Sequence, residues 1–536
     1  MLIENADQIH DHPGKHQDHQ LSIHLISPGH KQAMVGRDDV LNEIMDKLTR
    51  QQSDCRIIPT VGMGGIGKTT LVRNVYENPL TVEYFDICAW VTVSQEYNTR
   101  EILLELVCPK TKERKEALRE IPDEGLGEML YKTLCGRRYL IVMDDIWSTE
   151  TWNNVKLFFP NNNSESRIMV TNRLANLAWK ISGSRGLKVN FLDKSKSWDL
   201  FCNIVFGEED NCPLELEETG KTIVENCKGL PLSVIVIGGL LAKSEKTQDF
   251  WEYIAENLSS VVNLEDNERC LRILYMSYKE LPVHLKPCFL YMGVFPKDNM
   301  TYVSRLKKLW VAEGFLKSIS GKSLEEAAEE YLNNLIDRNL IVPLMMGSSG
   351  KIKLCSMHDL LRDLCLREAQ KEKFLSSLEI GQATTIHRRI VVHQISSKDK
   401  YDLHRVLHSA QLVHSLTCDF QEALPLASFR LLRIIDAPPE IWKMHQLRHL
   451  DVNVLRIPDP TTATGDEFVL PNLQKMSEIV NFKCCEAVVK RIPNINKLRI
   501  CYNDFYSLIY CLENLGHSDI SSMHYCLENL GRFQKL

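Results

Sequence analysis

A multidomain chain is predicted, opening with a parallel α/β domain and ending in irregular leucine-rich repeats. Three observations carry this reading. Short β-branched runs alternate with helical patterns from Val35 to about Asn190, mostly helical blocks follow to about residue 372, and LxxLxL segments come after them. The length of 536 residues exceeds one core, and at about 150 residues per domain roughly three to five domains are expected.

The α/β part rests on four apolar runs: 56–61 (RIIPTV), 87–93 (ICAWVTV), 139–143 (YLIVM) and 167–171 (RIMVT). Apolar strands separated by helical patterns imply a parallel sheet covered on both faces. From Phe191 to Leu264 the pattern turns helical, with Trp198, Leu200, Phe201 and Phe206 at helix-like spacing, and residues 269 to about 372 form a second mostly helical block. The repeat segments are Val413-Leu416-Cys418, Leu432-Ile435-Ala437, Leu447-Leu450-Val452 and Ile495-Leu498-Ile500, with a poor unit at Leu473. Their starts lie about 15 to 26 residues apart, near the period of leucine-rich repeats. At the end, the YCLENLG of Tyr510–Gly516 recurs at Tyr525–Gly531. That period is too short for a full repeat, and a local duplication or gene-assembly error explains it as well as function does.

Composition narrows the function classes. Apolar residues make up 44% and charged residues 25%, the balance of an ordinary globular protein. A net charge of −6 gives no support for nucleic acid as the main partner. The 17 cysteines lack disulfide-like spacing and read as free thiols of a reducing compartment. Cys484-Cys485 is adjacent and no CxxC occurs, so no zinc site is expected. The start, MLIENADQIHDH, has neither the basic nor the apolar region of a signal peptide. The longest apolar run, Gly229 to Ala242, falls short of the roughly 20 residues that span a bilayer. No transmembrane segment is expected, and the reading is a cytoplasmic protein. Residues 1–32 carry His10, His12, His16, His19, His24 and His30 among few apolar residues. Disorder is the expectation there, with an irregular metal-binding tract as the sharper alternative.

The chemistry concentrates after the first strand. Gly62-Met63-Gly64-Gly65-Ile66-Gly67-Lys68-Thr69 fits GxxxxGK[ST], and Thr70 follows. Glycines let the backbone curl so that its N–H groups converge on phosphate oxygens, and the next helix adds its positive end. Lys68 is expected to reach the β and γ phosphates, and the Thr69 hydroxyl to ligate Mg2+. Thr219-Gly220-Lys221-Thr222 looks similar but has no strand before it and reads as a helix surface. The third strand ends in Asp144-Asp145. Beside a phosphate loop, Asp144 is expected to hold Mg2+ through water, and Asp145 to orient or deprotonate an attacking water. Arg173, after the fourth strand, suits a γ-phosphate sensor because its fork fits phosphate oxygens.

These residues, in this order, resemble a known family. Val35-Gly36-Arg37, the glycine loop, FDICAWVTVSQEY from Phe85 to Tyr97 and Asp144-Asp145-Ile146-Trp147 are similar to the NB-ARC module of plant disease resistance proteins. The series continues with Cys227-Lys228-Gly229-Leu230-Pro231-Leu232, a stretch from Cys288 to Leu316, and Met357-His358-Asp359. Trp147 resembles the coiled-coil branch, and the wording around Tyr275–Tyr278 and Leu285–Pro287 resembles late blight resistance homologs. The resemblance implies an α/β P-loop nucleotide-binding domain at 33–190, an all-α helical domain at 191–268, a winged-helix domain at 269–372 and a short, irregular leucine-rich-repeat α/β solenoid at 373–536.

It also implies roles. Val35 and Arg37 would lie near the adenine, Pro231 would close the base pocket, and His358 would touch the β-phosphate of ADP and latch a closed state. The expected cofactors are ADP, ATP and Mg2+, used in an ADP/ATP switch that is at most a slow ATPase. Expected partners are a pathogen effector or guarded host protein, and related receptors in a homo- or hetero-oligomer. Plant defence with a hypersensitive response is the implied output, in the cytoplasm or peripherally at the plasma membrane. The family usually begins with a coiled-coil domain that executes the signal, and this chain shows none, so a truncated, non-signalling regulator or decoy is the alternative. Two rivals have less behind them. A phosphotransferase would need a lid, which no segment supplies. DNA binding by Arg305, Lys307, Lys308 and Lys317 competes with the apolar face of Trp310, Val311 and Phe315, which reads as domain packing.

Overall fold

The computed structural model describes residues 36–377 apart from breaks at 51–55, 94–98, 108–117, 119–120, 162–164, 208–211, 261–263, 298–299, 318–322 and 348–349. Beyond these it describes 389–392, 415–418, 449–455, 469–473, 475–480, 490–495 and 497–501. Val35, the histidine-rich start, the segment at Leu432, Cys484-Cys485 and both YCLENLG copies lie outside the described residues.

Strands β1 (Arg56–Val61), β2 (Ile87–Thr92), β3 (Tyr139–Asp144), β4 (Arg167–Asn172) and β5 (Leu187–Lys188) form one parallel sheet in the order β2-β3-β4-β1-β5. Every residue of β3 and β4 is buried, which is why β3 reads as a near-continuous apolar run and β4 keeps an apolar centre, Ile168 to Val170, between buried polar ends. Two residues long, β5 pairs only at Thr60 and Val61, and so short a strand carries no readable periodicity. Past Pro59, β1 gains this neighbour, so the proline sits where the strand still has one open edge. The glycine loop, Asp144 and Arg173 all follow carboxyl ends of strands, where open α/β sheets bind their ligands.

Five helices follow: Lys194–Val205, Leu214–Asn226, Pro231–Ala242, Gln248–Ser259 and Asp266–Lys279. Pro231–Ala242 is apolar around most of its circumference and therefore lies in the centre, starting with proline at a position where no N–H is needed. Around it Trp251 meets Phe201 edge-on at 5.7 Å. Gly220 belongs to the Leu214–Asn226 helix, packed against Trp198 and Trp251, with Lys221 paired to Glu217 on the surface. The Thr219–Thr222 stretch is thus one turn of that helix.

A winged-helix region comes next. Helices Val303–Glu313 and Leu324–Asp337 pack together with an antiparallel sheet of β6 (Thr301–Tyr302), β8 (Ile352–Ser356) and β7 (Val342–Met346). Ser323 and Glu326 form a capping box at the start of the second helix. Trp310 and Val311 are buried, and Lys307 pairs with Glu329. These strands were legible only through the resemblance, because β6 is two residues long, β8 alternates imperfectly and the apolar β7 contains Pro343. One apolar cluster runs without a break from Leu71 and Leu140 in the sheet domain, through Leu232 and Val236, to Leu306 and Leu335.

Further on, β10 (Arg389–Val392) pairs in parallel with β9 (Ser376–Ser377) and with β11 (Ser415–Cys418). Strands β12 (His449–Leu455), β13 (Lys475–Val480) and β14 (Lys497–Cys501) make a second parallel sheet. Leu473 and Ile495 are buried just ahead of β13 and β14. Among the described residues no helix is long and apolar enough to cross a membrane, and the buried Cys227, Cys270, Cys288, Cys355 and Cys365 are free thiols.

Candidate nucleotide-binding site

The loop 62–67 leaves β1 and enters the Lys68–Tyr76 helix. Gly65 and Gly67 hold φ of +76° and +95°, a region side chains resist. Gly67 has open space beside it, so there the need is conformational. At Gly65 the need is also steric, because a Cβ would stand 2.9 Å from Leu232 Cβ. A Cβ on Gly64 would meet Leu360 Cδ1 at 3.3 Å and Arg173 Nη1 at 3.6 Å. Leu232 N–H also donates to Gly65 O at 3.2 Å. The loop is therefore clasped by the helical region through Leu232, next to Pro231, and by the winged-helix side through Leu360.

Lys68 is buried and donates to Gly62 O at 2.8 Å and Met63 O at 3.1 Å. Desolvation lowers its pKa to about 8; Asp145 opposes the fall, Arg173 adds to it, and Asp144 opposes it again. Thr69 Oγ1 donates to Asp144 Oδ1 at 3.2 Å, and Thr171 Oγ1 donates to the same oxygen. Burial pushes the Asp144 carboxyl up, against the two hydroxyl bonds that hold it down. Asp145 sits at φ +58° and donates its N–H to Thr171 Oγ1 at 2.7 Å. Arg173 Nη2 reaches Asp145 at 3.2 Å and Asp359 at 3.6 Å. Its Nε is buried with no acceptor.

His358 caps the Asp359–Lys371 helix, with Nδ1 accepting from Leu360 N–H at 3.1 Å. That bond leaves the imidazole proton to Nε2. The residue keeps some surface, yet packing around the ring is dense, and desolvation lowers its pKa to about 4, with Arg173 and Lys68 adding to the fall. Burial raises the Asp359 carboxyl, while Lys297 and Arg173 hold it down. A folded-state value near 4 lies below the ordinary imidazole value, so the stability linked to His358 is whole above about pH 6.5 and is lost as the pH falls toward 4. His358→Asn keeps a capping side chain and removes the titration. Urea midpoints at pH 7 and pH 5 are expected to differ less in His358→Asn than in the parent, whose full loss between the two pKa values is at most about 3 kcal/mol. Equal pH slopes in the two proteins would refute this assignment.

The structure thus gathers Gly62 to Thr69, Asp144, Asp145, Arg173 and His358 at one place, with Thr70 on the next turn position of the loop's helix and Pro231 beside Leu232. Arg37 is tied to the same loop. Its buried guanidinium donates to Ile66 O at 2.9 Å and to Asn190 O at 2.5 Å, bracing the loop from behind. Sequence reasoning passed over Thr171, which looks like one more strand residue, and Leu232 and Leu360, which look like ordinary core.

Comparison with known proteins agrees. Residues 37–211 match the NB-ARC domain and residues 294–365 the disease resistance protein winged helix domain. A late blight resistance protein homolog of Solanum demissum, R1B-12, is 41% identical over 67% of this chain and 26% of its own length. Late blight resistance protein R1-A of the same species is 32% identical over 89% of this chain and 38% of its own length. The chain thus spans about a quarter to two fifths of these relatives. Among solved structures, a signal transduction ATPase with numerous domains (STAND) protein from Pyrococcus horikoshii aligns at a TM-score of 0.39 and 18% identity, over 63% of this chain and 43% of its own. With a P-loop α/β domain, a helical region and a winged helix around one glycine loop, this chain belongs to the plant NB-ARC disease resistance proteins.

Proposed function

We propose that the Lys68 loop holds ADP or ATP with Mg2+ and that the chain is the nucleotide-dependent switch of a plant immune receptor. One observation carries this: side chains from separate regions, Arg173, Leu232, His358 and Asp359, close on a single glycine loop. The residues fit an anionic ligand. Two cations, the buried Lys68 and the part-buried Arg173, stand at the loop, and Arg173 Nε lacks an acceptor. Thr69 and Asp144 supply the hydroxyl and carboxylate that Mg2+ uses beside phosphates. When bound, the nucleotide supplies a terminal phosphate whose presence or absence separates two states.

The chain's own residues do the sensing. Lys68 exchanges two loop carbonyls for phosphate oxygens. Arg173 chooses between Asp145 and Asp359 on one side and phosphate on the other. His358 donates from Nε2 in the closed state. Moving such an equilibrium from 1:99 to 99:1 takes about 5.5 kcal/mol, whereas one charged hydrogen bond contributes roughly 1.5–3 kcal/mol. A single contact is too weak, and Lys68, Arg173 and the Thr69–Asp144 pair acting together suffice. Asp145, strained at its strand end, orients water for a slow hydrolysis that resets the switch.

Domain extents of 33–190, 191–268, 269–372 and 373–536 belong to the same reading. The parallel strands β12 to β14, starting at 449, 475 and 497, support a leucine-rich-repeat tail that senses a pathogen effector or guarded host protein. Related receptors are the proposed oligomeric partners. The latch is tested by Asp359→Val. Removing the Arg173 partner is expected to speed ADP release about tenfold, the equivalent of roughly 1.4 kcal/mol. Release of a fluorescent ADP from the purified chain measures it, and parental kinetics would discard the latch.

A further inference from the structure

Trp147 follows the two strand-end aspartates, and its half-buried indole receives two cations. The Arg173 guanidinium carbon lies 4.4 Å from the ring centroid and Lys297 Nζ lies 5.8 Å from it. The cations come from different regions, since Arg173 follows β4 and Lys297 precedes the winged-helix strand β6. Both also pair with carboxylates of one helix, Arg173 with Asp359 at 3.6 Å and Lys297 with Asp363 at 3.5 Å.

The ion pairs alone do not orient Arg173. Both run through the same nitrogen, Nη2, so they fix a point and leave the guanidinium plane free to swing about it. Nε has no acceptor to stop that swing. The aromatic face does, because a cation is held over the ring by its quadrupole and a planar guanidinium also stacks. We infer that Trp147 is a positioning residue: it sets the plane of Arg173 and, with Lys297, ties the sheet domain to the winged helix in the closed, ADP-favouring arrangement. This rests on the switch reading above.

The test is the ratio of ADP to ATP dissociation constants, measured with Mg2+ on the full chain. Trp147→Leu keeps apolar bulk without a ring. It is expected to weaken ADP relative to ATP by about three- to tenfold, the size of a partly desolvated cation–π contact. Trp147→Phe restores part of the parental ratio, and Lys297→Met moves it in the same direction as Trp147→Leu but less. In an Arg173→Ala background, Trp147→Leu adds no more than Lys297→Met adds there. A merely structural tryptophan would give its full loss in that background, and that result overturns the inference. So does an unchanged ratio in Trp147→Leu when Arg173→Ala shifts it. If Arg173→Ala itself leaves the ratio unmoved, the switch reading fails instead. Should Trp147→Leu not fold, an unmoved ratio in Lys297→Met decides against the inference.

Discussion

Lys68→Ala is expected to raise the dissociation constants for ADP and ATP by at least about 100-fold. The ammonium is buried and faces two carbonyls of its own loop, so it is a preformed donor with little conformational entropy left to lose on binding. Exchanging those bonds for phosphate contacts, each worth about 1.5–3 kcal/mol, accounts for two or more decades at about 1.4 kcal/mol per decade. Lys68→Arg keeps the charge and fares no better, because a planar fork does not occupy the space of a compact ammonium under a curled backbone. Isothermal titration with Mg2+ on purified protein reads the effect. Parental affinity in Lys68→Ala would mean that the loop is not a phosphate site at all.

Gly229→Ala carries the largest expected loss of stability. Gly229 stands at φ +71° in the turn between the Leu214–Asn226 and Pro231–Ala242 helices. A Cβ there would lie 2.1 Å from Leu192 O, and Gly229 O accepts from Leu192 N–H at 2.8 Å. The obstacle is backbone, so no rotamer change relieves it. The left-handed conformation alone costs a side chain about 1–2 kcal/mol, and the clash raises the total to about 3–5 kcal/mol. Gly136→Ala is the control, since it shares the positive φ (+73°) with nothing within 4 Å. Urea unfolding is expected to separate the two variants by about 2 kcal/mol or more. Equal midpoints would show that the approach of Leu192 to Gly229 carries no weight. Nucleotide affinity should fall with Gly229→Ala as well, because the same turn delivers Leu232 to Gly65.

Both predictions start from glycine and lysine positions that are visible in the sequence, yet their force comes from contacts that are not. The curl of residues 62–67 needs only local backbone freedom, so eight consecutive residues announce it. The aspartates at 144 and 145 and the arginine at 173 are legible for a related reason, since each sits at the end of a fully buried strand with an apolar centre. Leu192 lies far from Gly229 in the chain, Leu232 far from Gly65 and Leu360 further still, and no periodicity encodes such pairings. Arg37 illustrates the limit best, since its guanidinium donates to the carbonyls of Ile66 and of the distant Asn190, pairings that no local pattern encodes.

What the amino-acid order determined by itself is the local chemistry: a phosphate-type loop between strand and helix, carboxylates and a cation after strands, and helical blocks behind them. The strand order β2-β3-β4-β1-β5, the two-residue β5 and the meeting of separate regions over one loop were decided only by tertiary packing. The reason is physical. Backbone torsion and hydrophobic period act over a few residues, whereas burial of Leu232, His358 and Trp147 against distant partners is a property of the assembled surface.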